Sequence, residues 1–273
     1  KWAVPRRWRR GSSDPHRYRR GVEHPTGRGD PDQCPPLPRA DPRRWRHIEV
    51  ERDGTVQIIE ADYVWSTIPI TTLARLVDPA APPAVIEAGK NIQYRAMILI
   101  YLVIAQPQFT EFDAHYFPDA DTELTRISEP KNYSARAEPK DRTVLCCELP
   151  CDVGDNIWRK SDEELGQLAS RALERSGLPI KAPILNVVTK RLSHAYPIYQ
   201  QGYEQHFGVL DDWASQLDRV LTFGRQGLFA HDNTHHALAM AYAAVASLTS
   251  SGTFDLAQWA EHRAEFATHT VED

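Results

Sequence analysis

Several signatures are missing from this sequence, and each absence removes a class of function. The four cysteines, Cys34, Cys146, Cys147 and Cys151, form no C-x-x-C pair, so a zinc finger or ribbon has no ligand spacing to stand on. No G-x-S-x-G elbow occurs, which leaves an α/β-hydrolase unsupported. No G-x-x-x-x-G-K-[ST] loop occurs either, so a P-loop nucleotidase is equally unsupported. The longest apolar run is Ala96–Ala105, about half the length of a membrane helix. Its β-branched content points to a buried strand instead. The amino terminus has no apolar stretch of the kind a secretory signal carries. Free thiols in a reducing, cytoplasmic setting are therefore expected, with peripheral membrane association as the variant.

What is present divides the chain in two. The 273 residues carry a formal net charge of -5, but residues 1–46 hold 13 Arg or Lys against 5 Asp or Glu, roughly +8. Proline is frequent there, aliphatic residues are few, and neither a period of 2 nor one of 3.6 appears. Three readings of residues 1–47 stand side by side. They form a basic arm with interleaved Trp for nucleic acid or an anionic surface, a disordered tail without a role, or a stretch foreign to the rest of the chain, as a frame-shifted GC-rich gene would produce. The overall acidic balance gives no reason to expect a nucleic-acid partner.

From Ile48 the texture becomes that of a folded chain. Ile48–Ile59 alternates around Asp53-Gly54, a hairpin signal. Ala61–Pro69 reads as a short buried strand ended by Pro69. Residues 70–77 suggest a helical turn, and Pro79, Pro82 and Pro83 a linker. Strands are expected at 95–105, 114–118, 124–128, 143–149 and 184–192. Ser161-x-x-Glu164 is a capping box that opens a helix ended by Gly177. Residues 196–199 suggest a bend, and 209–221 an amphipathic helix. A short buried strand, 220–223, then leads through Gly224-Arg-Gln-Gly227 to caps at 232–234, an Ala-rich helix to about 249 and a last helix from Asp255. The fold class expected is α/β with a strand-rich α+β substrate domain. The segments are 48–90 (hairpin and strand), 91–205 (substrate domain) and 206–273 (carboxy-terminal return).

The strand–glycine turn–helix unit has a chemistry of its own. Glycines let backbone approach a flat or anionic ligand, and the opening of a helix presents unpaired N–H groups and partial positive charge. Such a unit suits a phosphate or the electron-accepting edge of a flavin. Arg225 can add a charge-assisted bond. An ordinary strand-to-helix turn is the plainer alternative.

The segment Gly224–Ala241 resembles the carboxy-terminal FAD motif of the superfamily of flavin amine oxidases, protoporphyrinogen oxidases and UDP-galactopyranose mutases: Gly-Arg, an aromatic, a polar stretch, then a helix aimed at the isoalloxazine. Ala61–Pro69 is similar to the D-x-V-I-S-T-I-P strand of the same enzymes. The resemblance implies FAD as cofactor, a small-molecule substrate and an FAD-binding Rossmann-like domain with an inserted substrate domain. It implies that Gly224, Arg225 and Gly227 flank the pyrophosphate or ribityl chain. Phe229 and Asp232 are the motif's aromatic and acidic members, and Asn233, Thr234 and His235 open the helix near the flavin. Ser66, Thr67 and Pro69 would line the adenosine side. Arg126, Glu129, Asn132, Tyr133, Tyr196 and Tyr199 are the polar substrate-domain candidates. No catalytic base stands out.

The pattern is incomplete. Such enzymes carry G-x-G-x-x-G and an acidic residue for the ribose, and Gly27-Arg-Gly29-Asp-Pro-Asp32 does not match it. A truncated FAD-dependent oxidoreductase chain with weak or no FAD binding by itself is expected, with a flavin-dependent sugar-ring mutase and a non-enzymatic fragment with a basic arm as the alternatives. His231, His235 and His236 attract a metal reading, but the helix is expected to start between His231 and His235 and no acidic third ligand is expected on the same face, so no metal is expected.

Overall fold

The computed structural model describes residues 46–52, 54–134, 138–269 and 271. The basic segment, its arm reading, Cys34 and the Gly27–Asp32 stretch lie outside the described residues, as does Asp53 of the first turn.

The hairpin forms as its alternation requires. Strands β1 (Arg46–Arg52) and β2 (Thr55–Ala61) pair antiparallel, and Gly54 takes the left-handed φ of +75° that the turn demands. Val56, Ile58 and Ile59 stay exposed. The chain then enters β3 (Val64–Ser66) and α1 (Ile70–Leu76). The expected proline linker is corrected here. Pro83 is the first residue of a helix, α2 (Pro83–Lys90), a position where a missing N–H costs nothing and the fixed φ is already helical.

A five-stranded antiparallel sheet comes next, in the order β5-β6-β7-β4-β8. Its strands are β4 (Gln93–Ile104), β5 (Ala114–Tyr116), β6 (Arg126–Ser128), β7 (Thr143–Cys151) and β8 (Ile184–Ile198). The bend expected at 196–199 is also corrected. Pro197 continues in the strand, because β8 is the sheet edge, where a residue without an N–H breaks no second ladder.

One face of this sheet is the main core. Ile98, Ile100, Leu102, Leu145, Cys147 and Leu149 pack against Leu165, Ala169, Ala172 and Leu173 of α3 (Asp162–Arg175). Helix α3 opens with the expected capping box between Ser161 and Glu164. Cys146 and Cys147 alternate across β7, with Cys147 in the core, and both are buried thiols.

Helix α4 (Tyr203–Ser215) packs on α1 and α2 through Leu210 and Ala214. It starts six residues before the expected helix, because Gly202 at φ +86° lets the chain turn into it early. Then β9 (Val220–Thr222) pairs parallel with β3. It leads to a single helical turn, α5 (Gly224–Gly227), then α6 (Thr234–Ala246) and α7 (Leu256–Phe266). The mixture of sheets and covering helices is α/β. No helix among the described residues is long and apolar enough to cross a membrane.

Candidate active site

The sheet alternation that buries one face against α3 pushes a second set of side chains to the other face. On β4 this set includes Arg95 and Met97, on β7 Glu148 and Pro150, and on β6 Arg126. Register brings them together, with Met97 opposite Pro150 and Arg126 opposite Glu148. They line an open cleft of about 370 Å³ together with Tyr196 of β8 and with Arg225, His231 and Asn233 from the glycine turn and the approach to α6. The turn after β9 and the opening of α6 therefore meet the charged side of the five-stranded sheet.

Charged groups across this cleft are held in place. Arg126 Nε donates to Glu148 Oε1 at 3.0 Å, and its terminal nitrogen pairs with the same carboxylate. That pairing, opposed by partial burial, pushes the Arg126 pKa up. The Tyr116 hydroxyl accepts a longer bond from Arg126 at 3.4 Å. Arg95 pairs with Asp152 at 2.7 Å. The Arg225 guanidinium lies over the Tyr196 ring, 4.7 Å from its centroid, a cation–π contact. Tyr196 meets His231 edge-on at 5.6 Å.

The glycine turn is built for close approach. Gly224 is buried with φ +78°, and its N–H donates to the Met240 sulfur at 3.2 Å. A Cβ on Gly227 would come within 3.2 Å of the Ser66 carbonyl oxygen, so the turn lies flush on β3. Gln226 Nε2 donates to the His194 carbonyl at 2.6 Å and ties the turn to β8. Phe229 is a bulky residue at φ +49°, an uncommon conformation for such a side chain.

Among the sequence candidates, Arg225, Asn233, Tyr196 and Arg126 meet in the cleft. Gly224 and Gly227 shape the turn behind it. Thr234 and His235 are exposed at the first turn of α6. Ser66 is buried and Thr67 exposed, with Thr67 touching the space beside Gly224, while Pro69 caps α1. Phe229 packs into an aromatic group with Tyr94, Tyr199 and Tyr203. The Tyr199 hydroxyl donates to the Phe229 carbonyl at 3.1 Å. Burial pushes the Tyr199 pKa up.

Three other candidates stand away from the cleft. Glu129 is buried and accepts from Phe109 N, Thr110 N and Thr143 Oγ1 at 2.9, 3.1 and 2.6 Å. Asn132 donates to the Thr110 and Phe112 carbonyls at 3.0 and 2.9 Å. Both hold the loop before β5. Tyr133 is exposed on a short 3-10 turn. Asp232 turns inward, its carboxylate 3.5 Å from His236 Nδ1, so an acidic group does stand beside these histidines.

Arg95, Met97, Glu148 and Pro150 were not among the residues singled out from sequence. A signal existed for Glu148: a charged residue in the middle of an otherwise apolar central strand marks the face that is not core.

Comparison with known proteins places this arrangement. In structure the chain is similar to a reduced UDP-galactopyranose mutase (TM-score 0.58, 16% identity), covering 77% of this chain and 46% of that one. It also matches a putative protoporphyrinogen oxidase from Exiguobacterium sp. 255-15 (TM-score 0.46, 20% identity, 67% of this chain and 42% of that one). A redesigned putrescine oxidase matches at TM-score 0.46 and 18% identity, over 64% of this chain and 39% of that one. The chain thus spans less than half the length of these solved structures. No curated protein matches it in sequence. The family model described as "Flavin containing amine oxidoreductase" matches residues 44–246, so the glycine turn, the opening of α6 and the five-stranded sheet all fall inside the match, and the chain belongs to that family.

Proposed function

We propose that this chain provides the substrate sheet and the isoalloxazine-facing half of an FAD-dependent oxidoreductase. The observation that carries the reading is the shared cleft: Arg225 and Asn233, from the glycine turn and the α6 opening, face Arg126 and Glu148 of the substrate sheet. The residues fit a flavin on that side. Gly224 adopts a conformation few other residues accept, and Arg225 Nε is buried without a hydrogen-bond partner. This sequence carries no G-x-G-x-x-G for the adenine–pyrophosphate half.

A flavin bound there supplies a two-electron acceptor for dehydrogenation of a C–N or C–C bond. The chain's own groups do the rest. The α6 opening directs partial positive charge at the cleft. Arg225, braced on Tyr196, orients an anionic or carbonyl oxygen. The fixed Arg126–Glu148 pair presents one donor edge and one acceptor edge to a polar substrate. Aromatic side chains around Phe229 close the base of the turn to water.

FAD titrated into the purified protein tests this reading. Weak binding that perturbs the visible flavin band, and is lost in Arg225→Ala, is expected. An unperturbed flavin spectrum at millimolar protein overturns it. Protein purified yellow with one FAD per chain overturns the weak-binding half of the reading.

The fold likeness to a reduced UDP-galactopyranose mutase makes isomerase chemistry the second reading. UDP-sugar turnover under dithionite, against oxygen or acceptor reduction, separates the two.

A further inference from the structure

The turn before α6 and the end of α7 enclose a second group of chemically active side chains, which shares only Asp232 with the FAD-motif candidates. Asp232, His236 and His269 each bring a ligand atom within 4.8 Å of the others. One carboxylate oxygen of Asp232 lies 3.5 Å from His236 Nδ1 and the other 3.8 Å from His269 Nδ1. The Asp232 side chain is only 5% exposed. Its Oδ2 is buried without a hydrogen bond, and so is His269 Nδ1. A buried carboxylate oxygen facing a buried imidazole nitrogen, neither of them satisfied, is a costly arrangement for a folded chain to keep. It is the arrangement a cation resolves.

We propose that Asp232, His236 and His269 form a site for a first-row divalent transition metal, with Zn²⁺ the best match. Two imidazoles and one carboxylate are borderline ligands that suit zinc, and three protein ligands leave a fourth tetrahedral position for water. The ligand atoms stand slightly wider than a bound ion requires, so the site closes on loading. The two imidazole rings are stacked, with centroids 4.3 Å apart and planes 16° apart. Parallel stacked rings cannot both point a lone pair at one ion. His269 therefore turns about its Cβ–Cγ bond out of the stack, which its position beyond the end of α7 permits. The 3.3 Å bond from the Asn233 N–H to His236 Nδ1 is long and gives way. The bound ion joins the opening of α6 to the chain end after α7, two segments separated by more than thirty residues.

The test uses the full chain, stripped with chelator and dialysed against Zn²⁺ or Co²⁺. One Zn²⁺ per chain by elemental analysis is expected, together with the intense visible bands of low-coordinate Co²⁺. Asp232→Asn, His236→Ala and His269→Gln should each weaken binding at least about tenfold, the lower end seen for loss of even an outer partner of a metal site. His206→Ala, on α4, should bind as the parent does. Circular dichroism identifies any variant that has lost its fold, and His269→Gln, beyond the last helix, keeps the test decisive if another fails. Absence of stoichiometric metal overturns the proposal. So does uptake that His269→Gln and Asp232→Asn leave unchanged, or a Co²⁺ spectrum of octahedral, water-rich coordination.

Discussion

The guanidinium carbon of Arg225 lies over the ring of Tyr196, 4.7 Å from its centroid, so one cation–π pair links the glycine turn to the edge strand of the five-stranded sheet. Removing either partner should loosen the cleft. Arg225→Lys is expected to behave almost as Arg225→Ala does, because an ammonium lacks the planar fork that stacks and bridges. Tyr196→Phe should keep the contact and Tyr196→Ala lose it, a difference of about 0.5–2 kcal/mol. Flavin titration of the four variants reads the order directly.

Glu129 gives a stability prediction rather than an activity one. Its carboxylate takes two backbone N–H groups and the Thr143 hydroxyl inside the fold. Glu129→Ala strands those donors and should cost about 2–4 kcal/mol. Urea unfolding monitored by tryptophan fluorescence measures it, and the flavin affinity of the remaining folded protein should not change.

Gly166 should resist substitution although alanine is the better helix former. A Cβ there would meet Val187 Cγ2 at 2.8 Å, where α3 crosses β8. The overpacking cost of about 1–3 kcal/mol exceeds the gain of about 1 kcal/mol in helix propensity. Gly166→Ala should therefore lower the denaturant midpoint.

Of three histidines whose pKa is held down, the two outside the Asp232 cluster set the test of the acid response. Burial holds the pKa of His115 below its usual value, and burial together with the Arg75 charge does the same for His194. Below about pH 6.5 the unfolded chain takes up protons that the folded chain resists. Stability should be full above that point and fall as pH drops below it. Thermal unfolding between pH 7.5 and 5, compared with a His115→Gln His194→Gln double variant, should show a shallower slope in the variant.

Much of the architecture was readable because local signals were strong. The Ser161 capping box, the Asp53-Gly54 turn and the apolar run of β4 are each set by residues within a few positions. Pro83 and Pro197 misled for one shared reason. Proline excludes a hydrogen bond only where one is needed, and a helix's first turn and a sheet's outer strand do not need it. The glycine turn around Arg225 was legible from sequence, as were Arg126 and Tyr196 as polar candidates, but their meeting with Glu148 and Met97 was not. Arg126, Glu148 and Met97 lie on three strands, and only the register of the sheet brings them together. Asp232 and His236 were visible as neighbours, but His269 approaches them through the path of α7, which no local pattern encodes.

Strands β3 and β9 touch along only three residue pairs, Val64–Val220 to Ser66–Thr222, although some 150 residues of chain intervene. Closure cost rises only with the logarithm of loop length, so the long excursion is tolerated, and this short parallel ladder aligns its two ends. A single residue, Phe223, separates β9 from the glycine turn, so a substitution that weakens the β3–β9 pairing should displace that turn before it disturbs the five-stranded sheet.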